Sequence, residues 1–359
     1  MSALEITNDT GAPEFDAPTL RARNAARLHD IAATAATATP FTSIPTVDIS
    51  PLIAGDDESA MQGVAEAIRD ACVEVGFFYV SGHGVDRSFV DETFETTKRF
   101  FHLSYEAKAA VSILNSPKMR GYTGLLEENT DPDGGGDLHE AFDMGLDLAD
   151  SDPDAHRDVY GWGLNQWPDM PGFRDRMVAY HETMSTLAAA LYRGFALSLG
   201  LDAHFFVPKM TKPISELRII RYPAQPAATD IDGEVVGIGA HSDYDMFTIL
   251  GTDDVPALEV LNSAGEWIAV PPVPDTFVVN VGDLLERMTN DLYRSTVHRV
   301  INSTEQERFS LPFFSNIDPL EVVEVLESCV TEDRPARYEP VAAGAYVEAC
   351  MHESYGYGG

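Results

Sequence analysis

The tripeptide His241-Ser242-Asp243 follows Gly239-Ala240 at what reads as a strand end. Residues two apart on a strand leave the same face, so this imidazole and carboxylate could meet one metal ion. A third ligand must come from elsewhere, and Ser295-Thr296-Val297-His298-Arg299-Val300 offers a histidine in another strand-like run, 57 positions after His241. Two imidazoles and one carboxylate on one side of a metal leave its other positions open. Iron(II) uses that arrangement to bind oxygen together with a chelating cosubstrate, whereas zinc could take the same ligands without activating oxygen. Taken alone, a His-x-Asp is weak, because a single histidine is more often a hydrogen-bonded structural residue.

A second polar pair strengthens it. In Arg308-Phe309-Ser310 the guanidinium and hydroxyl share one strand face, while Phe309, Leu311 and Phe313 face the other way. A buried guanidinium needs a carboxylate, and an adjacent hydroxyl adds a donor to it. Standing alone, the segment would equally suit an arginine paired with a structural Asp or Glu.

These side chains need a β framework, and the chain from Leu217 onward has its texture. Short apolar runs separated by Gly, Pro, Asn and Asp cover 217–222, 236–240, 247–251, 258–261, 267–270, 277–281, 295–301 and 308–314. About eight short strands at such spacing predict a sandwich or jelly roll. Upstream, Thr46-Val47-Asp48-Ile49 predicts a strand. Met61, Val64, Ala65, Ile68, Ala71 and Cys72 recur at helical spacing, and Gly76-Phe77-Phe78-Tyr79-Val80 reads as a buried strand. Further helices are predicted over 87–101 and 171–200, with an irregular stretch rich in Gly, Asp and aromatics over 115–169. The expected fold is mixed α/β with a mainly β core, a double-stranded β-helix (jelly roll) with a helical N-terminal region packed around it. Residues 1–43 read as a loose extension with one helix near Leu20 to Ala33, residues 44–205 as the N-terminal helical and strand region, and residues 206–359 as the catalytic core with a C-terminal segment.

Several segments, in order, carry a family resemblance: Ile44-Pro45-Thr46-Val47-Asp48, Gly76-Phe77-Phe78-Tyr79-Val80 with Gly82-His83-Gly84, Arg221-Tyr222-Pro223, His241-Ser242-Asp243, Gly282-Asp283, His298-Arg299-Val300 and Arg308-Phe309-Ser310. Together they resemble the isopenicillin N synthase-like branch of the iron(II)/2-oxoglutarate-dependent dioxygenases, over about residues 44 to 345. The resemblance implies the jelly-roll fold, iron(II) held by His241, Asp243 and His298, and 2-oxoglutarate as cosubstrate with O2. It places Arg308 and Ser310 on the distal carboxylate of 2-oxoglutarate and Tyr222 beside a cosubstrate or substrate carboxylate. The implied reaction is oxidation of a small molecule, by hydroxylation, desaturation or cyclisation, with decarboxylation of 2-oxoglutarate to succinate. The alternative is an iron oxidase that does not use 2-oxoglutarate, because isopenicillin N synthase shares the Arg-x-Ser pair and the Arg-Tyr-Pro segment. One departure stands out: Arg221 replaces the Asn that many plant members carry before Tyr-Pro.

The resemblance implies substrate contacts from the N-terminal part and from the strand faces near the iron, and the candidates named here are Arg120, Tyr122, Glu127 and Asp143, with His139, Glu140 and Asn165-Gln166-Trp167-Pro168 near them. The carboxylates could meet a cationic guanidino or amino compound. Asp283 reads as structural, as do His83, His102, His181 and His204.

Charge limits the partners. With 24 basic and 58 acidic side chains the net charge is -34, which repels nucleic acid and anionic membranes and leaves a small molecule as the expected partner. Three cysteines, an odd number without close spacing, form no complete disulfide framework. Neither a signal peptide nor a run of the ~18 apolar residues a membrane span needs is visible. The expectation is a soluble, cytoplasmic protein. No residue pattern sets an oligomeric state.

Overall fold

The computed structural model describes residues 39–128, 137–225 and 237–354. The expected helix near Leu20 to Ala33, and nearly all of the 1–43 extension, lie outside the described residues.

The jelly roll is visible in how the chain alternates between two sheets. Strands β5 (Glu216–Tyr222), β7 (Phe247–Thr252), β10 (Phe277–Val281) and β12 (Arg308–Ser315) lie in the larger sheet. Strands β6 (Ile238–His241), β8 (Leu258–Leu261), β9 (Trp267–Ala269) and β11 (His298–Val300) form the smaller one, in the order β6-β11-β8-β9. Four further strands extend the larger sheet: β1 (Thr46–Asp48), β2 (Phe77–Ser81), β3 (Gly121–Thr123) and β4 (Glu140–Met144). Its full order is β1-β2-β10-β7-β12-β5-β4-β3.

Period-two alternation sorts each strand of the larger sheet into two faces. On one face, Leu217 and Ile219 of β5, Ile249 of β7, Val279 of β10 and Leu311 and Phe313 of β12 pack against helices Glu58–Glu74, Arg87–Phe101 and Phe173–Ser198. The longest of these buries Met177, Tyr180, Met184, Leu187, Leu191 and Phe195 at helical spacing, as the sequence predicts. The opposite face looks across to the smaller sheet and lines a cavity.

The predicted strands after Leu217 all form, with small boundary shifts. The run over 295–301 shortens to His298–Val300, because Ser295 leaves the ladder to bond Asp283 and Glu286. Strands β3 and β4 were expected to be irregular. They lack an apolar signature because Glu140 and Asp143 are buried within β4, each 1% exposed, with Glu140 paired to Lys108 and Arg221 and Asp143 lying 3.5 Å from Arg218. The C-terminal helix Ala343–Ser354 is likewise absent from the sequence reading.

Ile249 tests the division of faces. It is fully buried against the helices and pairs with Val279 and Phe313. Ile249→Ala should cost about 2–5 kcal/mol in stability, read by chemical denaturation, while iron stoichiometry of the folded protein stays unchanged. Loss of iron binding in the folded variant would contradict the assignment of faces.

Candidate active site

Strand pairing builds a metal-binding cluster. The antiparallel register of β11 and β6 sets His298 opposite His241, and their rings lie 4.3 Å apart. Asp243 follows two residues after His241, and its Oδ1 lies 3.7 Å from His241 Nε2 and 3.6 Å from His298 Nε2. One ligand atom from each residue falls within 4.8 Å of the others, the span that one ion can bridge.

The surrounding hydrogen bonds decide which atoms are free. Nδ1 of His241 meets Gly239 O at 2.7 Å, and Nδ1 of His298 meets Thr296 O at 3.1 Å. A carbonyl only accepts, so Nδ1 of each ring carries a proton and Nε2 is the nitrogen turned toward the cluster, where it can ligate an ion. Asp243 Oδ2 accepts from Thr248 Oγ1 and, at 2.7 Å, from Asn280 Nδ2, which leaves Oδ1 for the ion. Burial raises the Asp243 carboxyl, but His298, His241 and these two hydrogen bonds outweigh it and hold it below the usual carboxylate range. Burial, then the neighbouring His241, push His298 downward. Two imidazoles and one carboxylate are the ligand set that a divalent cation accepts. Beside them, burial and the Asp243 charge push Asp245 well up.

The same cavity, about 140 Å³, is lined by Arg308, Ser310 and Tyr222. Arg308 is 1% exposed, yet its Nε and one terminal nitrogen have no hydrogen-bond partner. Its guanidinium stacks 4.8 Å above the Tyr222 ring, its register partner on β5. Burial pushes the Tyr222 phenol up, against the pull of Arg308 and Ser310. Buried guanidinium protons without acceptors are costly unless an anion enters the cavity. A dicarboxylate with one end on the iron ligands and the other on Arg308 fits that requirement.

The four substrate candidates fare differently from expectation, since none of them lines the cavity. Tyr122 pairs with Phe142 on the helix-facing side of the sheet and donates to Glu140 at 2.6 Å. Glu127 is exposed and accepts from the Gly124 amide at 2.8 Å. Arg120 is buried behind Glu216, ion-paired to it and donating to Gly161 O. Asp143 is buried opposite Arg218 on β5, 3.5 Å from its Nε, and burial pushes its carboxyl up. Glu140 bonds Lys108, Tyr122 and Arg221, while Gln166 holds the carbonyls of Ser112 and Arg120. Of this group only His139 reaches the cavity.

Away from the metal cluster and Arg308, the polar groups that face it include Glu128, His139, Tyr160, Glu216, Arg218 and Asn316, joined by Val347 and Met351 of the C-terminal helix. Burial raises the Glu128 carboxyl, but Arg218 and His139 outweigh it and hold it near about 2. Sequence reasoning missed Glu216, Arg218 and Asn316, although period two points to them. Counting back by twos from Tyr222 gives Ile220, Arg218 and Glu216, and counting on from Arg308 gives Ser310, Pro312, Phe314 and Asn316, all of which line the cavity.

Gly282 carries the turn against the cluster. Its amide donates to Met246 O, and the next amide, Asp283, donates to Asp243 O at 2.8 Å. A Cβ at Gly282 would lie 2.1 Å from Asp245 Oδ1 and 2.3 Å from Asp245 O. Gly282→Ala should therefore cost about 1–3 kcal/mol by thermal denaturation and lower the iron content after anaerobic loading, since the backbone that yields carries Asp243. Unchanged iron content would show that the Asp243 loop is not set by this contact.

Residues 44–170 match the family model described as non-haem dioxygenase in morphine synthesis N-terminal, and residues 214–317 match the 2OG-Fe(II) oxygenase superfamily. The chain is 40% identical to homoarginine-6-hydroxylase 2-ODD-C23 of Glycine max over 308 residues, 81% of this chain and 90% of that protein. It is 34% identical to the 2-oxoglutarate-Fe(II) type oxidoreductase hxnY of Emericella nidulans over 324 residues, 88% of this chain and 91% of that one. Among solved structures, Neurospora crassa T7H with alpha-KG and thymine superposes with a TM-score of 0.76 at 28% identity, covering 88% of this chain and 97% of that one. These findings favour 2-oxoglutarate use over the oxidase alternative. The chain belongs to the 2OG-Fe(II) oxygenase superfamily, as an iron(II)- and 2-oxoglutarate-dependent oxygenase that acts on a small molecule.

Proposed function

We propose that His241, Asp243 and His298 hold the iron, and that Arg308, Ser310 and Tyr222 hold the distal carboxylate of 2-oxoglutarate. The single observation that carries this reading is Arg308, a buried guanidinium with donors to spare in the cavity that the metal cluster shares. Iron(II) with 2-oxoglutarate and oxygen supplies the oxidising power, the cosubstrate ending as succinate and carbon dioxide. The protein's share is positional. His241 and His298 present Nε2 because Gly239 and Thr296 hold their Nδ1 protons. Asp243 offers one oxygen because Thr248 and Asn280 occupy the other. Arg308 fixes the cosubstrate's far end, and apolar Phe77, Leu250 and Leu258 keep water from the reacting centre.

The substrate we infer is a small, nitrogen-rich molecule. Relatives carry the name homoarginine-6-hydroxylase, and a structural neighbour holds thymine, so both compounds are the first to try. The Arg221-Tyr222-Pro223 and Arg308-Phe309-Ser310 segments favour the isopenicillin N synthase-like branch. Three buried cysteines outside any disulfide agree with a cytoplasmic setting. The net charge of -34 speaks against nucleic-acid and anionic-membrane partners. We divide the chain into a region over 44–205 and a core over 206–359, a reading supported by the jelly-roll strands beginning at Glu216.

The test is spectroscopic. Anaerobic enzyme loaded with iron(II) and 2-oxoglutarate should show the weak visible charge-transfer band of the chelate. Arg308→Ala should weaken 2-oxoglutarate binding by about 1.5–3 kcal/mol, the worth of a charge-assisted hydrogen bond. His241→Ala should abolish the band. Iron binding with no band, and oxygen uptake indifferent to 2-oxoglutarate, would overturn these assignments.

A further inference from the structure

Beyond the iron ligands, the ladder of β5 and β12 continues past the residues that hold the cosubstrate. Arg308 faces Tyr222 and Ser310 faces Ile220, and two steps further Phe314 faces Glu216. Asn316 lies one more step on, where the Ile214 amide bonds Ile317 O. Phe314 also pairs with Thr248, the residue that bonds the metal ligand Asp243. Glu216 and Asn316 therefore sit at the level of the metal cluster and beyond it, away from Arg308.

Both side chains present acceptors without donors. Asn316 is 2% exposed, lines the cavity, and its Oδ1 has no hydrogen-bond partner. Glu216 gives Oε2 to Arg120, and among the described residues no hydrogen bond engages Oε1. Its side chain is 12% exposed and also lines the cavity. Arg120 holds Glu216 from outside the cavity and is itself fixed by Gly161 O, so the carboxylate is aimed as well as buried. The one cation on this part of the wall, Arg218, is already engaged by both oxygens of Glu128 and by Asp143. An approaching ligand thus meets unfilled acceptors, one of them charged, on a wall otherwise formed by Phe314, Ile214, Val347 and Met351. Tyr160 borders the same space, and burial with the Glu216 charge pushes its phenol well up.

We infer that Glu216 and Asn316 recognise the substrate through a cationic, multiply N–H-bearing group, a guanidinium or an ammonium, with Arg120 as the residue that positions Glu216. A buried carboxylate and an amide oxygen bind such a group because each donor fills an acceptor that water alone would fill in the empty site. A neutral isostere that replaces the NH2 groups with a carbonyl sets oxygen against oxygen. The inference rests on the iron and 2-oxoglutarate reading and names the substrate class for that site.

The experiment is calorimetric titration of the anaerobic enzyme loaded with iron(II) and 2-oxoglutarate. The probes are L-arginine against L-citrulline and L-homoarginine against L-homocitrulline, matched guanidino and ureido pairs, with thymine as a neutral third. At least one guanidino compound should bind roughly tenfold or more tighter than its ureido partner and than thymine, the worth of one charge-assisted hydrogen bond. Glu216→Gln should erase that preference, and Asn316→Ala should weaken the guanidino compound, while 2-oxoglutarate binds each variant as it binds the wild type. If Glu216→Gln does not fold, Asn316→Ala with the wild-type pairs still decides. Equal binding within each pair, tighter binding of thymine, or a preference that survives Glu216→Gln overturns the inference while the iron site stands. Failure of 2-oxoglutarate itself to bind the wild type overturns the underlying assignment instead.

Discussion

The Asp243 carboxylate is where the two sheets of this protein are tied together. Its Oδ2 is held by Thr248 of β7 and Asn280 of β10, both in the larger sheet. Its Oδ1 faces His241 and His298, carried by β6 and β11 of the smaller one. One side chain thus couples the spacing of the sheets to the geometry of the metal site. The jelly roll brings these strands together because from β5 to β12 the chain crosses repeatedly from one sheet to the other, with only β8 and β9 following each other in the same sheet, so residues far apart in sequence meet face to face. The backbone repeats the coupling, since the Asp283 amide that follows β10 bonds the Asp243 carbonyl. An ion at this position adds attraction to a geometry that hydrogen bonds already define.

The larger sheet also grades the chemistry along one cavity. Strands β5 and β12 are antiparallel, and their inward residues form pairs at successive levels about 6.6–6.8 Å apart, twice the strand rise. Arg308 with Tyr222 forms a cationic and aromatic end, Ser310 with Ile220 and Pro312 with Arg218 a middle, and Glu216 with Phe314 an acidic and apolar end. Under the proposed assignments, opposite charges at opposite ends of one cavity would sort cosubstrate and substrate by charge. An anion gains most near Arg308 and loses most near Glu216, so the order in which ligands line up follows from the wall.

Period two made most of this readable without coordinates. The His-x-Asp pair, the Arg-x-Ser pair and the strands after Leu217 all announce themselves, because buried strands of the larger sheet keep runs of β-branched and aromatic residues. The polar residues at the Glu216 end of the cavity were hidden for a physical reason. Arg120, Tyr122 and Glu127 attract notice as charged or hydroxyl groups in a polar stretch, yet folding consumes them: Tyr122 on Glu140, Arg120 on Glu216, Glu127 on a turn amide. Glu216 and Arg218 sit in a strand that reads as framework, and Asn316 lies just past the end of another. Which polar groups remain free depends on which partners the fold supplies, and single-residue chemistry does not carry that information. The acidic surface misleads in the same way, since a net charge of -34 says little about a cavity whose carboxylates largely face arginines.

Those buried ion pairs have a further structural consequence at β4. Cross-strand partners share a face, so Asp143 pairs with Arg218 toward the cavity while Glu140 pairs with Arg221 toward the helices. Lys108 and Tyr122 complete the cluster around Glu140, and Glu128 and His139 complete the one around Arg218. A slip of one residue between β4 and β5 would exchange the faces, driving Glu140 toward the cavity and Phe142 out of the aromatic packing with Phe100 and Phe173. Each arginine would then face the wrong set of partners, and an unpaired buried charge costs several kcal/mol, about as much as the whole margin of stability of many domains. The ionic clusters therefore act less as a source of stability than as a lock on register. The lock matters for function because β4 starts directly after His139 of the cavity wall and flanks the strand that presents Glu216, Arg218 and Tyr222 to it.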